Sequence, residues 1–154
     1  MPLVALAFFI GVIAGLRSLT APAVVSWAAS SGWLHLEHTP IAFLGKDITA
    51  GLLTALAIGE LIGDKLPKTP SRKALVPFIA RILTGALSGA ALGASRDSLP
   101  LGLIAGAVGA VAGTLGGYEA RKRLASAFGR DLPAALLEDV VAVGGAIWIC
   151  WQIS

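Results

Sequence analysis

The chain has 154 residues, of which 56% are hydrophobic and 14% are charged, and its formal net charge is +3. Soluble domains carry about 25% charged residues, so this composition, with a mean hydropathy of +0.81, excludes an ordinary soluble domain. It predicts an integral membrane protein in contact with the lipid bilayer. The basic residues lie in short segments between apolar blocks, which excludes a nucleic-acid-binding face.

Six apolar blocks follow one another along the chain, separated by charges, prolines and glycines. They cover residues 3–16, 21–34, 48–62, 75–94, 99–117 and 132–153. A helix needs about 20 residues to cross the hydrocarbon core, so the first two blocks are short. No lysine or arginine precedes the first block, and we therefore interpret it as a retained span rather than a secretory signal. We expect six short transmembrane helices in a single membrane domain, 1–154.

Two pairs of segments indicate an internal repeat. GLRSLTAP at 15–22 corresponds to GASRDSLP at 93–100, and GKDITAGLL at 45–53 corresponds to GRDLPAALL at 129–137. The matched segments separate equivalent apolar blocks in the two halves of the chain. We therefore predict two copies of a three-helix unit.

The two copies, 1–67 and 75–154, are joined by a basic linker at 66–74. Because three is an odd number, the second copy must enter the membrane in the opposite sense, which predicts an inverted-topology repeat. Residues 75–117 would be about 65 Å long as one helix, too long for a single crossing. They must form a hairpin, and by symmetry the first two blocks form one as well. The alternative is a five-span topology in which block 21–34 lies at the membrane interface.

The basic residues lie mainly on one predicted side of the membrane. That side holds Arg17, Lys65, Lys68, Arg72, Lys73, Arg121, Lys122, Arg123 and Arg130, and the other side holds Lys46 and Arg96. The positive-inside rule places the first side in the cytoplasm of a bacterium, with a multi-pass chain in the inner (plasma) membrane and both termini outside. The basic loops suit contacts with anionic lipid headgroups. His35 and His38 offer too few ligands for zinc, and we expect no metal and no cofactor.

Glycine recurs at four-residue intervals in several predicted helices. Examples are Gly85, Gly89 and Gly93, then Gly102 and Gly106, then Gly109, Gly113 and Gly117, and Gly59 and Gly63. In lipid, small residues let helices approach closely, so these positions predict glycine zippers. Six short helices enclose little volume, and we therefore also expect a homodimer.

Ionisable residues within the apolar blocks need partners, because an unpaired charge in hydrocarbon costs several kcal/mol. Glu60 and Glu138 are each expected about 10 Å from the cytoplasmic edge. Thr20 is expected to cap the second helix, next to Arg17. The candidate site for an ion, a proton or a small anionic solute consists of Arg17, Ser18, Thr20, Glu60, Asp64, Glu138 and Asp139. The alternative interpretation is a structural ion-pair network.

Three short elements of the chain resemble a known family. GLRS at 15–18, the pattern E-x-x-x-D-K-x-P at 60–67 and the pair ED at 138–139 are similar to those of a bacterial family of small integral membrane proteins, classed as a domain of unknown function. The resemblance covers nearly the whole chain. It implies the membrane topology and draws attention to these positions, but it implies no activity.

The inverted repeat and the charged cluster lead to our main functional hypothesis, a small transporter or channel with its site between the repeats. The alternative is a non-catalytic scaffold or partner-binding subunit whose charges hold its helices together. An intramembrane enzyme acting on lipid is disfavoured, because no Ser-His, Cys-His or His-metal set is present in the sequence.

Overall fold

The structure is a computed structural model that describes residues 2–63 and 75–153. The described chain is helical and contains no β-strand, so the predicted all-α class is confirmed. Its α-helices are α1 (Leu3–Leu16), α2 (Thr20–Ser30), α3 (Asp47–Gly63), α4 (Leu75–Ala94), α5 (Leu99–Phe128) and α6 (Asp131–Ile153). A short 3₁₀ helix at Ala42–Gly45 precedes α3.

Within the described ranges, three helices are long and apolar enough to cross a membrane. They are Pro77–Ala94 of α4, all of α5, and Pro133–Ile153 of α6. The apolar α1 has 14 residues and α2 has 11, so α2 is about 17 Å long against a hydrocarbon core of about 30 Å. The described residues therefore form the six helices predicted for a membrane protein, three of them long and apolar enough to cross a bilayer, and six membrane crossings stay a prediction.

The helix α5 is longer than its apolar block because it continues through a charged segment to Phe128. This segment, EARKRLASAF, consists largely of strong helix formers, and Glu119 stands four residues before Arg123, a spacing that favours a helix. The helix ends at Gly129, whose φ of 73° is left-handed and suits glycine. The extension brings Arg121, which the sequence analysis assigned to a loop, onto the helix.

Glycines form the closest helix contacts of the bundle, where α5 packs against α4 and α1. A Cβ added at Gly106 would lie 2.9 Å from the Cα of Gly89, and one added at Gly15 would lie 2.5 Å from the backbone nitrogen of Thr114. Such distances are too short for any side chain, so the backbones touch directly, as small residues allow in lipid. Gly59 differs from the expected pattern, because a Cβ there would have no neighbour within 4 Å.

Contacts between the helix ends show that consecutive helices alternate in direction. The backbone N–H of Leu19, just before α2, bonds Glu60 near the end of α3 at 3.3 Å, and Arg81 of α4 bonds the carbonyl of Leu16 at 3.0 Å. We call this end of the bundle, where α1 and α3 end and α4 and α6 begin, the Arg17 end. At the opposite end, the Arg96 end, the guanidinium of Arg96 bonds the carbonyl of Ile153 at 3.2 Å.

Candidate functional site

Arg17 lies in the break between α1 and α2 and is completely buried, with 0% of its surface exposed. Its backbone is extended, with φ −140° and ψ 109°, so α1 stops at Leu16. The guanidinium points to α6, where Nε donates to Oδ1 of Asp139 at 2.7 Å and Nη2 lies 2.6 Å from the same oxygen. Bonds between two charged groups are the strongest type of hydrogen bond. A carboxylate from another helix therefore balances the buried arginine.

Glu60 of α3 binds the turn that follows Arg17. The hydroxyl of Ser18 donates to Oε2 of Glu60, and the backbone N–H of Leu19 donates to Oε1 at 3.3 Å. A break between two helices leaves backbone N–H groups without an intrahelical partner. Glu60 satisfies one of them and so fixes α3 against the start of α2.

Arg81 of α4 is part of the same cluster, although the sequence analysis missed it. It is 6% exposed, and its Nη1 donates to the carbonyls of Gly15 at 2.7 Å and Leu16 at 3.0 Å. These carbonyls belong to the last turn of α1, where a cation is favoured by unpaired oxygens and by the helix dipole. One sequence signal could have found it, because Arg81 is a charge inside the apolar block 75–94, as Arg17 is in its own segment.

The two neighbouring acids of α6 have different partners. Asp139 pairs with Arg17, whereas Oε2 of Glu138 lies 3.8 Å from Nη1 of Arg121 on α5. Successive helical residues are about 100° apart, so one acid faces α1 and the other faces α5. The sequence analysis named both acids as candidate site residues, and in the structure Asp139 is the one that contacts the buried Arg17.

Thr20 is the first residue of α2 rather than the predicted cap, and Leu19 occupies the capping position without a side-chain cap bond. The prediction was wrong because the helix begins one residue earlier: the carbonyl of Leu19 already accepts a helical bond from the N–H of Ala23 at 3.1 Å. Thr20 is 3% exposed, and its Oγ1 has no hydrogen-bond partner among the described residues. Thr20 therefore places a buried hydroxyl in the first turn of α2, close in sequence to Arg17. Asp64, also predicted for the site, lies outside the described residues.

The described part of the Arg17 end therefore gathers arginines and carboxylates from most helices of the bundle. The cations are Arg17, Arg81 and Arg121, and the anions are Glu60, Glu138 and Asp139. The guanidinium of Arg17 can bind a carboxylate or another small anion in place of Asp139. The carboxylates can accept protons, which removes the cost of keeping them charged when a partner leaves.

A model of a protein family described as "Domain of unknown function (DUF4126)" matches residues 4–151. Comparisons with curated proteins and with solved structures gave no match. The matched range includes Arg17, Glu60 and Asp139, and it confirms the resemblance inferred from the three short elements. The chain belongs to the DUF4126 family of domains of unknown function.

Proposed function

We propose that this protein is a small membrane transporter or channel for an ion, a proton or a small anionic solute, with Arg17 as the group that binds the solute. The observation that carries the proposal is the complete burial of Arg17 at a helix break, where it bonds Asp139 of α6, a helix that is distant in sequence. Ionisable residues at membrane depth are rare and commonly mark solute or proton pathways.

The surroundings of Arg17 suit an anion. The break aims the N-terminus of α2 at the cluster, and helix N-termini favour negative charge. Thr20 adds a buried hydroxyl without a partner among the described residues. An anion that takes the place of Asp139 on Arg17 leaves that carboxylate partly buried, where protonation lowers its free energy. We therefore propose that anion binding at Arg17 is coupled to proton uptake at Asp139.

The alternating helix directions support the inverted repeat as the architecture for this activity. The segments 15–22 and 93–100 correspond in sequence and lie at opposite ends of the bundle, as a two-fold axis in the membrane plane requires. We propose that the Arg17 end faces the cytoplasm, because the basic residues collect there. We further propose that two copies form a homodimer in the bacterial inner membrane, and that no catalytic reaction occurs at the site.

The proposal is tested by flux into proteoliposomes that contain a trapped pH dye. An imposed gradient of chloride or phosphate should drive proton movement with the wild-type protein. Asp139→Asn and Glu60→Gln should abolish it, because they remove the proton acceptor and the carboxylate that fixes the turn. Glu119→Gln is the matched control, since it removes an exposed carboxylate of α5.

Thermal unfolding and gel filtration of each variant would show that loss of flux is not loss of fold. A monodisperse wild-type protein that carries none of these ions and no protons would overturn the proposal. It would favour a scaffold whose charges only hold its helices together. Equal flux in wild type, Asp139→Asn and Glu60→Gln would remove both carboxylates from the mechanism.

A further inference from the structure

A second polar region lies at the Arg96 end, away from the candidate site. It is a cavity of about 250 Å³ lined by Gly32, Trp33, His35, Ser95, Arg96 and Ile153. The lining offers a guanidinium, an imidazole and a hydroxyl, and no carboxylate among the described residues. The volume equals that of about eight liquid waters, which is room for a phosphate with its ester carbons. The chemistry of this cavity favours an anion.

The backbone around the cavity is well defined by hydrogen bonds. Gly32, with a φ of +87°, ends α2 because its N–H bonds the carbonyl of Ala29 at 3.2 Å and the N–H of Trp33 bonds that of Ala28 at 2.8 Å. This pair of bonds is a Schellman motif, and it fixes the backbone directly before Trp33. Arg96 is fixed by its bond to the carbonyl of Ile153 at 3.2 Å. A guanidinium has five donors, and within the described residues Arg96 uses one of its nitrogens in this bond, which leaves donors for a ligand.

An apolar groove adjoins the polar cavity. It has a volume of about 120 Å³ and is lined by Val24, Trp27, Ala28, Ser31, Trp33 and Ile147. Trp33 lines both spaces, so the groove and the cavity are neighbours that share this residue. Ile147 precedes Ile153 of the cavity on α6, and this spacing places it about 9 Å deeper along the helix axis.

The two spaces together fit a molecule with an anionic head and a hydrocarbon tail. The head would lie against Arg96 and His35 at the helix ends, and the tail would follow the groove between α2 and α6 toward the middle of the membrane. Trp33 stands at the boundary, where tryptophan is favoured in membrane proteins. We infer that this surface is a binding site for an anionic phospholipid of the phosphatidylglycerol type, with the phosphodiester at Arg96 and one acyl chain in the groove.

Because the described lining of the cavity contains no carboxylate, we expect the site to discriminate between lipids by the charge of their headgroups. Phosphatidylcholine has the same phosphate, but its quaternary ammonium would add a second cation beside Arg96, and the described lining of the cavity holds no carboxylate to balance it. Inorganic phosphate and glycerol 1-phosphate have the head chemistry without the chain. These three molecules are therefore the comparisons that identify the ligand.

The test is native mass spectrometry of the full-length protein in mild detergent, after incubation with equal amounts of phosphatidylglycerol and phosphatidylcholine with the same acyl chains. The wild type should retain phosphatidylglycerol preferentially. Arg96→Gln should lower this retention about tenfold or more, because it removes a charge-assisted bond to the phosphate. Lys46→Gln is the matched control, since it removes an exposed cation near the same end that lines neither space.

A second pair of variants tests the acyl chain. Ile147→Trp should fill the groove and release the lipid while leaving any binding of glycerol 1-phosphate unchanged. Val140→Trp introduces the same side chain on an exposed part of α6 outside the groove and should retain the lipid. Thermal unfolding of all four variants would check that they remain folded.

Several results would overturn the inference. Equal retention of phosphatidylglycerol by Arg96→Gln and Lys46→Gln would remove Arg96 from the site. Equal retention by Ile147→Trp and Val140→Trp would remove the groove. Displacement of the lipid by glycerol 1-phosphate or inorganic phosphate at equal concentration would identify a soluble phosphate as the ligand. Equal retention of phosphatidylcholine by the wild type would exclude selection for an anionic head.

Discussion

The contact between α4 and α5 allows a sharp prediction for Gly106→Ala. The new Cβ would lie 2.9 Å from the Cα of Gly89 and 3.1 Å from the carbonyl carbon of Gly85, and closer still to the Gly85 oxygen. Carbon atoms prefer separations of about 3.5–4.0 Å, so the two helices must move apart by about 0.6–1 Å. The obstructing atoms belong to backbone and cannot rotate away. Overpacking typically costs about 1–3 kcal/mol, and we expect a loss of about 2–3 kcal/mol in the free energy of unfolding.

Gly116→Ala on the same helix is the matched control, because a Cβ there would have no neighbour within 4 Å. It should leave stability unchanged or raise it by up to about 1 kcal/mol, through the higher helix propensity of alanine. Both variants would be unfolded by SDS in mixed micelles, with tryptophan fluorescence as the probe of tertiary contact. Equal unfolding free energies for the two variants would refute the view that α4 and α5 are in direct backbone contact at Gly106.

Three further interactions can be tested by the same SDS titration. Arg17→Gln should cost about 3–5 kcal/mol because it removes the charged partner that bonds the partly buried Asp139. Arg17→Gln combined with Asp139→Asn should cost less than the sum of the single changes, and additivity would contradict the ion pair. Arg81→Gln should lower the free energy of unfolding by about 1.5–3 kcal/mol, because it removes the bonds to the end of α1, and Arg81→Lys should lower it by less. An equal loss of stability in the two variants would mean that the charge is unimportant. Nε1 of Trp27 donates to Thr54 at 2.6 Å, so Trp27→Phe and Thr54→Val should each cost about 1 kcal/mol or less, with a double variant no worse than the larger single change.

The helix bounds were largely predictable because charges, prolines and glycines mark the ends of the apolar blocks. The blocks 3–16 and 75–94 match α1 and α4, and α5 begins at the expected Leu99. The C-terminal end of α5 was predicted too early, at residue 117, because the apolar block ends there. The helix continues through the charged segment EARKRLASAF, which hydropathy does not identify as part of a helix. The predicted second helix was too long because its C-terminal turn at Gly32 was not recognised as a stop.

The candidate site was predictable in composition but not in pairing. A charge inside an apolar block must find a partner, and this reasoning selected Arg17, Glu60 and the acids of α6. It could not choose between Glu138 and Asp139, since that choice depends on the rotation of α6 about its own axis. Arg81 was missed because its partners are backbone carbonyls of α1, and sequence gives no direct sign of a long-range bond to a helix end.

The two corresponding segments, 15–22 and 93–100, place their arginines in opposite environments. Arg17 is enclosed and bonded to a carboxylate, whereas Arg96 is exposed, bonds a backbone carbonyl and lines an open cavity. The backbone differs as well, because Arg17 is extended directly after α1, whereas Arg96 is followed by Asp97 with a left-handed φ of 59°.

The enclosed ion pair of Arg17 and Asp139 determines what the proposed transport cycle requires. A buried pair resists separation, because each charge left alone in a low-dielectric interior costs several kcal/mol. Thermal fluctuations alone would therefore seldom open the Arg17 end. If an anion bonds Arg17 and a proton neutralises Asp139, neither residue is left as an unpaired charge. In the proposed cycle the ion pair would act as the gate, and neither the anion nor the proton alone should open it.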